Sequence, residues 1–361
     1  MSQPAQKVTD YESLHQAWIQ YYESQVEQLF DKLVSEAVRL ALTLPTSPDH
    51  VFSFADFPAA AGRFSSLMAK LHDDIVLLVG SGMAKAWSLS GLKNDALAGD
   101  VMSMLSESQI TSIFGARNEG ARLAFAGRSI NGLNLSDRVW NYTGAFGKEI
   151  ELGLDAAILS GTPARKLATQ LKQNLREPNR LFRRVRNARG NLVLSQNAKT
   201  FKPGLGVYRS SYANALRLTR TEINGSYRQA DLDRWATLPF VTGYSVRRSL
   251  NRVPCILCDS MVGNFPKTFV FQGWHPACRC IATPILATPD EVNRLTAQLI
   301  AGESVEGFTS INQVSRVNPG FTKWVRDNRQ RWEQQNGSGR PGATPLFIQQ
   351  NGGFVAPLSA H

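Results

Sequence analysis

Apolar residues recur at helical spacing almost from the start of the chain. Leu14, Trp18, Tyr22, Val26, Leu29, Leu33, Ala37 and Leu40 predict one long amphipathic helix, opened by a Thr9–Glu12 capping box and closed by Pro45 and Pro48. The pattern resumes from about Phe57 to Leu89 through Phe64, Leu67, Leu71, Ile75 and Leu78, with Gly80 and Gly82 as candidate breaks. A shorter helix is expected over Ser106 to Phe125. Ser136 can cap another, whose apolar side carries Val139, Trp140, Phe146, Ile150, Leu154 and Ile158 and whose stop is Gly161. Thr162 and Pro163 then supply the N-cap and first position of the next helix. Stripes of this kind build a core, and nothing in them asks for catalysis.

Tyr208 to Trp235 is helical again, with Tyr212, Leu216, Ile223, Tyr227 and Ala230 on one side. After Pro239 the texture changes. FVTGYSVRRSL and TFVFQGW are short β-prone runs and predict a small β-containing module. Thr288, Pro289 and Glu291 open a further helix, and another covers Trp324 to Trp332. NGSGRPGATP then reads as a flexible linker to PLFIQQNGGFVAPLSAH, an apolar cluster able to dock on a partner or to pack back on its own domain. The expected fold is mainly α. It comprises an elongated helical N-terminal domain over 1–160, a basic helix and loop segment over 161–207, a small α+β zinc-stapled module over 208–286, C-terminal helices over 287–335 and a tail over 336–361.

Composition changes this picture in two ways. An apolar content of 43% with 19% charged residues describes a soluble globular protein. The first residues, MSQPAQKVTDYESL, hold no run that a translocon reads, and Ile75 to Val79 is too short to span a bilayer. A reducing cytoplasm and no membrane partner are therefore expected. The net charge of +11 is concentrated: Arg165 to Arg220 holds 14 Lys or Arg and one acid, Glu177, whereas the remaining 26 basic residues face 28 acidic ones. Arg176, Arg180, Arg183, Arg184, Arg186 and Arg189 do not alternate with acids at i+4 and are candidates for contact with DNA phosphates or an acidic partner surface. Aromatic residues do not interleave at base-stacking spacing, so sequence-specific or single-strand readout is not supported.

All four cysteines lie between 255 and 280. Cys255 and Cys258 form a CxxC knuckle, and His275, Cys278 and Cys280 follow. Zinc takes four soft or borderline donors at tetrahedral corners, and a CxxC turn supplies two from one tight loop. Three candidates compete for the remaining two places. A pair of disulfides suits a secreted module, and a thioredoxin-like CxxC needs a βαβ setting that this sequence lacks. Catalytic zinc needs an open position and a nearby base, and neither HExxH nor HxE is present. A closed structural site is the favoured reading. His15, His50, His72 and His361 have no motif around them, and each reads as surface or satisfied core. Glu149 and Glu151 form an ExE, as in ADP-ribosyltransferases, but inside a helical pattern without the accompanying arginine and Ser-Thr-Ser strands.

Taken together, RTEINGSYRQA, GYSVRRSLNRVPCILCDSMVGNF and HPACRCIATP resemble the phage head-morphogenesis or minor head protein family, the group related to the Mu F protein. Arg220, Thr221, Glu222, Cys255, Cys258, Gly263, Phe265, His275, Pro276, Cys278, Arg279, Cys280 and Pro284 match its pattern in order. The resemblance covers about Tyr208 to Pro284. It implies a non-enzymatic structural protein of a virion, assembled in the bacterial cytoplasm, that associates with the portal and other capsid components and assists head assembly, DNA packaging or delivery. Arg220 and Glu222 do not face each other on a helix and need separate partners. Glu222 is expected to accept a hydrogen bond from His275 or Arg279 and so orient the metal loop. The alternatives are a zinc-containing nonspecific DNA-binding protein and a zinc-dependent hydrolase or toxin.

Overall fold

The computed structural model describes residues 3–47, 50–115, 118–176, 184–186, 188–189, 192–194, 210–249, 255–337 and 344–355. In chain order the helices of the first half are α1 (Gln3–Ala41), α2 (Pro58–Val101), α3 (Glu107–Phe114), α4 (Glu119–Ala126), α5 (Leu135–Leu159) and α6 (Ala164–Arg176). A hairpin of β1 (Arg184–Arg186) and β2 (Leu192–Leu194) precedes α7 (Ser211–Thr237). Then come β3 (Val241–Arg247), α8 (Ile256–Met261), β4 (Gly263–Phe265), β5 (Ile281–Leu286), α9 (Pro289–Ile300), α10 (Pro319–Gly337), α11 (Leu346–Gln349) and α12 (Gly352–Val355). The protein is mainly helical with a small three-stranded antiparallel sheet beside a Cys/His cluster.

Several local rules act as expected. Ser106 and Gln109 make a capping box for α3, Thr288 and Glu291 make one for α9, and Gly161 ends α5 with a φ of +62°. Others are overridden. α1 starts at Gln3, before the Thr9–Glu12 pair, because Glu12 is taken up by buried basic side chains instead of a cap. α2 runs unbroken through Gly80 and Gly82, since flanking apolar burial at Val79 and Met83 outweighs the helix propensity lost at two glycines. By length and composition it is long and apolar enough to cross a membrane, while 44% of its most apolar stretch is buried. The helix expected over 106–125 divides into α3 and α4. Asn134, with Asp137 at the third helical position, caps α5 in place of Ser136.

The chain divides into two compact units whose segments interleave in sequence and so cross the boundaries drawn at 160, 207, 286 and 335. One comprises Gln20–Ser81 and Gly132–Arg220. Its core stacks Phe54 on Phe64 and sets Phe30 edge-on to Phe146, with Val26, Ile75, Ile150 and Leu154 fully buried. Glu149 and Glu151, the ExE of the sequence, are engaged in holding backbone: Glu149 accepts from Ser211 N and Oγ, and Glu151 accepts from Phe54 N and Ser53 Oγ.

The other unit comprises Met1–Ile19, Gly82–Asn131 and Thr221–His361. Its sheet has the order β4-β3-β5, with Tyr244 of β3 paired to Phe265 on one side and Pro284 on the other. The TFVFQGW run is not a strand. Phe269, Phe271 and Trp274 instead bury their rings against Phe265, Phe321 and Phe347, and the strand beside β3 is IATPIL. Three large rings directed into one core outweigh the β propensity of the run. Residues 344–355, the described part of the tail, pack back on this unit. Asn351 clamps them to the loop after β4 by accepting from Val270 N at 2.8 Å and donating to Val270 O at 2.9 Å, and Phe347 and Ile348 are buried.

Candidate metal centre

The first half of the site is a single helical turn. Cys255 sits at the N-cap of α8 in extended conformation, and its side chain makes no capping hydrogen bond. Cys258 lies at the third helical position, so the turn brings both thiols to one side. The backbone of this turn is fixed from β3's end: Arg248 Nη1 donates to Cys255 O and to Asp259 Oδ1, each at 2.9 Å. Where α8 ends, Gly263 has a φ of +139°, and a Cβ there would lie 1.6 Å from Asn318 Nδ2, which donates to Val262 O. Only glycine fits that corner.

The second half is an irregular loop that enters β5. Gly273, at a φ of +138°, packs against the Cys278 side chain, where a Cβ would sit 3.1 Å from Cys278 Cβ. Ala277 takes a left-handed φ of +60°, and Cys278 N donates back to His275 O at 3.0 Å. This tight reversal places His275 and Cys278 beside the knuckle. Cys278 and Cys280 are buried, and Arg279 between them is exposed, as alternation requires.

The five donors form two triads that share Cys258. Cys255, Cys258 and His275 make one, and Cys258, Cys278 and Cys280 make the other; in each, the donor atoms lie within 4.8 Å of one another. His275 Nε2 is 3.4 Å from Cys255 Sγ and 3.1 Å from Cys258 Sγ, and Cys258 Sγ is 3.8 Å from Cys278 Sγ. The thiols are free, at spacings far beyond a disulfide bond. With metal–sulfur bonds of about 2.3 Å, tetrahedral ligand sulfurs lie about 3.8 Å apart. His275 Nδ1 is 2.9 Å from Pro276 O, so a proton there donates to that carbonyl and leaves the Nε2 lone pair facing the thiols. Metal-bound imidazoles adopt this tautomer.

Electrostatics points the same way. Hydrogen bonds from Cys258 and Cys280 hold the Cys278 thiol down at about 2, while the bond to Cys278 pushes the Cys258 thiol far above its ordinary value. The hydrogen bond with Cys258 lowers Cys280, but the hydrogen bond with Cys278, burial and the charge of Cys278 together raise it to about 12. One buried thiolate suppresses the ionisation of its neighbours. A divalent cation is the charge that allows several of them to ionise together. The residues therefore fit a metal ion, and the cluster can bind one.

α7 grips this loop with three side chains at positions i, i+3 and i+7. Thr221 Oγ1 accepts from Ala277 N at 2.9 Å, Asn224 Nδ2 donates to Cys278 O at 2.8 Å, and Arg228 Nη2 donates to Cys280 O at 3.0 Å. These three hydrogen bonds orient the loop from one helix. Glu222 is fully buried, and its Oε2 accepts from Arg128 Nη2 at 2.9 Å. Arg220 does take a separate partner, both oxygens of Glu23. The polar spacing Thr221, Asn224, Arg228 was visible in the sequence as a polar stripe, but a stripe of that kind usually faces solvent.

Arg176 pairs with Asp31 at 3.0 Å and lies over the Tyr212 ring. Arg184 and Arg186 are on β1, Arg189 is in an exposed turn, and Arg180 and Arg183 lie outside the described residues. Comparisons with protein-family models, curated proteins and solved structures find no match to this chain. What fold and site define is thus a class: a mainly helical protein with a small sheet and a Cys/His cluster suited to a metal ion.

Proposed function

We propose that this chain is a minor head protein of a tailed phage or prophage. It is a non-enzymatic virion component, assembled in the host cytoplasm, that associates with the portal and assists capsid assembly, DNA packaging or delivery. A structural zinc ion held by Cys258 with donors from both triads braces its sheet-containing unit. The observation that carries this reading is the meeting of the two halves of the resemblance: Thr221 of the Arg-Thr-Glu helix and the HPACRC loop are joined at Ala277 N. Gly263, Phe265 and Pro284, matched by the same resemblance, take a corner that admits only glycine, a core position and a sheet position. Sulfur and imidazole donors favour zinc over harder cations. Zinc supplies charge compensation and a cross-link there; the chain's own residues set the loop geometry.

The test is co-expression with a tailed-phage portal protein from the same source, followed by a pull-down with and without a chelator and by metal analysis. Portal should co-purify with the zinc-loaded chain and less well after chelation. A zinc-loaded, folded chain that leaves portal behind overturns the reading.

A further inference from the structure

Behind the metal loop, within the same unit, lies a buried charge cluster that the proposed function leaves unexplained. Glu12 and His15 come from α1, Lys93 and Asn94 from α2, and Arg228 and Asp231 from α7; all are buried. Lys93 Nζ donates to Asp231 Oδ2 at 2.6 Å and to Glu12 Oε1 at 3.3 Å. Arg228 Nη1 and Nη2 donate to the two Glu12 oxygens, each at 3.2 Å. Asn94 Nδ2 and Ser90 Oγ satisfy Asp231 Oδ1. Two acids and two bases therefore balance. His15 stacks on Tyr227 with ring centroids 3.9 Å apart and donates from Nε2 to Asn224 Oδ1 at 3.1 Å.

Two side chains join this cluster to the metal loop. The Asn224 amide takes His15 on its oxygen and holds Cys278 O with its nitrogen. The Arg228 guanidinium holds Glu12 and Cys280 O together. Each planar group has one orientation that serves both sides. Displacing the loop carbonyls leaves Asn224 and Arg228 with buried, unpaired donors, and displacing α1 removes the partners that aim them.

We propose that Asn224 and Arg228 couple the metal centre to residues 12–19 of α1, so that metal occupancy and the docking of that stretch stabilise each other. This rests on the zinc reading above. The coupling is reciprocal by thermodynamic necessity: whatever factor docked α1 adds to zinc affinity, bound zinc adds to α1 docking. Asn224, Arg228 and His15 are positioning residues, and His15's hydrogen bond goes to Asn224, not to the loop.

The full-length chain is first assayed for zinc. Release to a chromophoric chelator is then timed for wild type, His15→Phe and His15→Gln, alongside amide hydrogen exchange with and without zinc. His15→Phe keeps a ring over Tyr227 and removes the donor; it should speed release by about tenfold, within the range for outer-shell partners. His15→Gln keeps a donor and should return release toward wild type. In wild type, zinc removal should raise exchange in residues 12–19 and leave residues 139–154 of α5 unchanged. A chain that takes up no zinc overturns both readings. Zinc uptake with release in His15→Phe within twofold of wild type, or with unchanged exchange in residues 12–19, overturns the coupling alone.

Discussion

Cys258 carries more of the site than any other residue, because it alone belongs to both donor triads. Cys258→Ser should abolish binding of the proposed zinc ion, whereas Cys255→Ser, at the half-buried end of the knuckle, should weaken it and leave measurable metal after purification. Metal content and melting temperature of the two variants provide the comparison; equal loss of zinc in both argues against a shared central ligand. Structural zinc is coupled to folding, so the Cys258 variant should also melt earlier. The donors themselves were legible from spacing, since CxxC and HPxCRC announce a ligand cluster whatever the surrounding fold. Asn224 and Arg228 were not, because their role depends on where the loop carbonyls fall.

Among the elements, α7 departs furthest from its sequence pattern. Tyr212, Leu216, Ile223, Tyr227 and Ala230 suggested one apolar side, yet Leu216 is only half-buried while every residue from Glu222 to Arg228 is buried. Its polar residues are buried because each finds a partner: Glu222 with Arg128, Asn224 with Cys278 O and His15, Ser226 with Met83 O, Arg228 with Glu12. The start of the helix is held by Glu149 of α5, whose carboxyl burial raises to about 7 against the lowering effect of Ser211. The folded chain therefore keeps this proton where the unfolded chain, with its ordinary value of 4.5, has lost it. Glu149 accordingly makes stability fall as pH rises from about 4.5 to about 7, by on the order of 3 kcal/mol, and the loss levels off above that window. Denaturant unfolding across this range should show the decline in wild type and a flatter profile in Glu149→Gln. Parallel profiles would mean that Glu149 is ionised in the folded protein.

At the scale of the whole molecule, the charge is the property least tied to the fold. A sequence pI near 9.7 arises from one segment, and a third of the arginines proposed for contact lie outside the described residues. If the proposed virion protein meets packaged DNA, that segment supplies the phosphate contacts. Binding to duplex DNA should then fall steeply with salt, and replacing Arg183, Arg184 and Arg186 with Gln should lower the slope of log K against log salt by up to roughly 2.7. Anisotropy titrations at several salt concentrations measure it, and an unchanged slope removes these residues from the interface.

By itself the sequence determined the helical class, most helix positions, the Cys/His donor set and the location of the excess charge. These follow from local rules: apolar period, caps and ligand spacing act within a few residues. Tertiary structure alone decided that IATPIL rather than TFVFQGW pairs with β3, that Thr9 starts no helix, and that Thr221, Asn224 and Arg228 face a metal loop instead of water. The reason is shared by all three. A polar or β-prone residue has no fixed place until a distant partner is within hydrogen-bonding or packing reach, and Asn224 finds Cys278 fifty-four residues away.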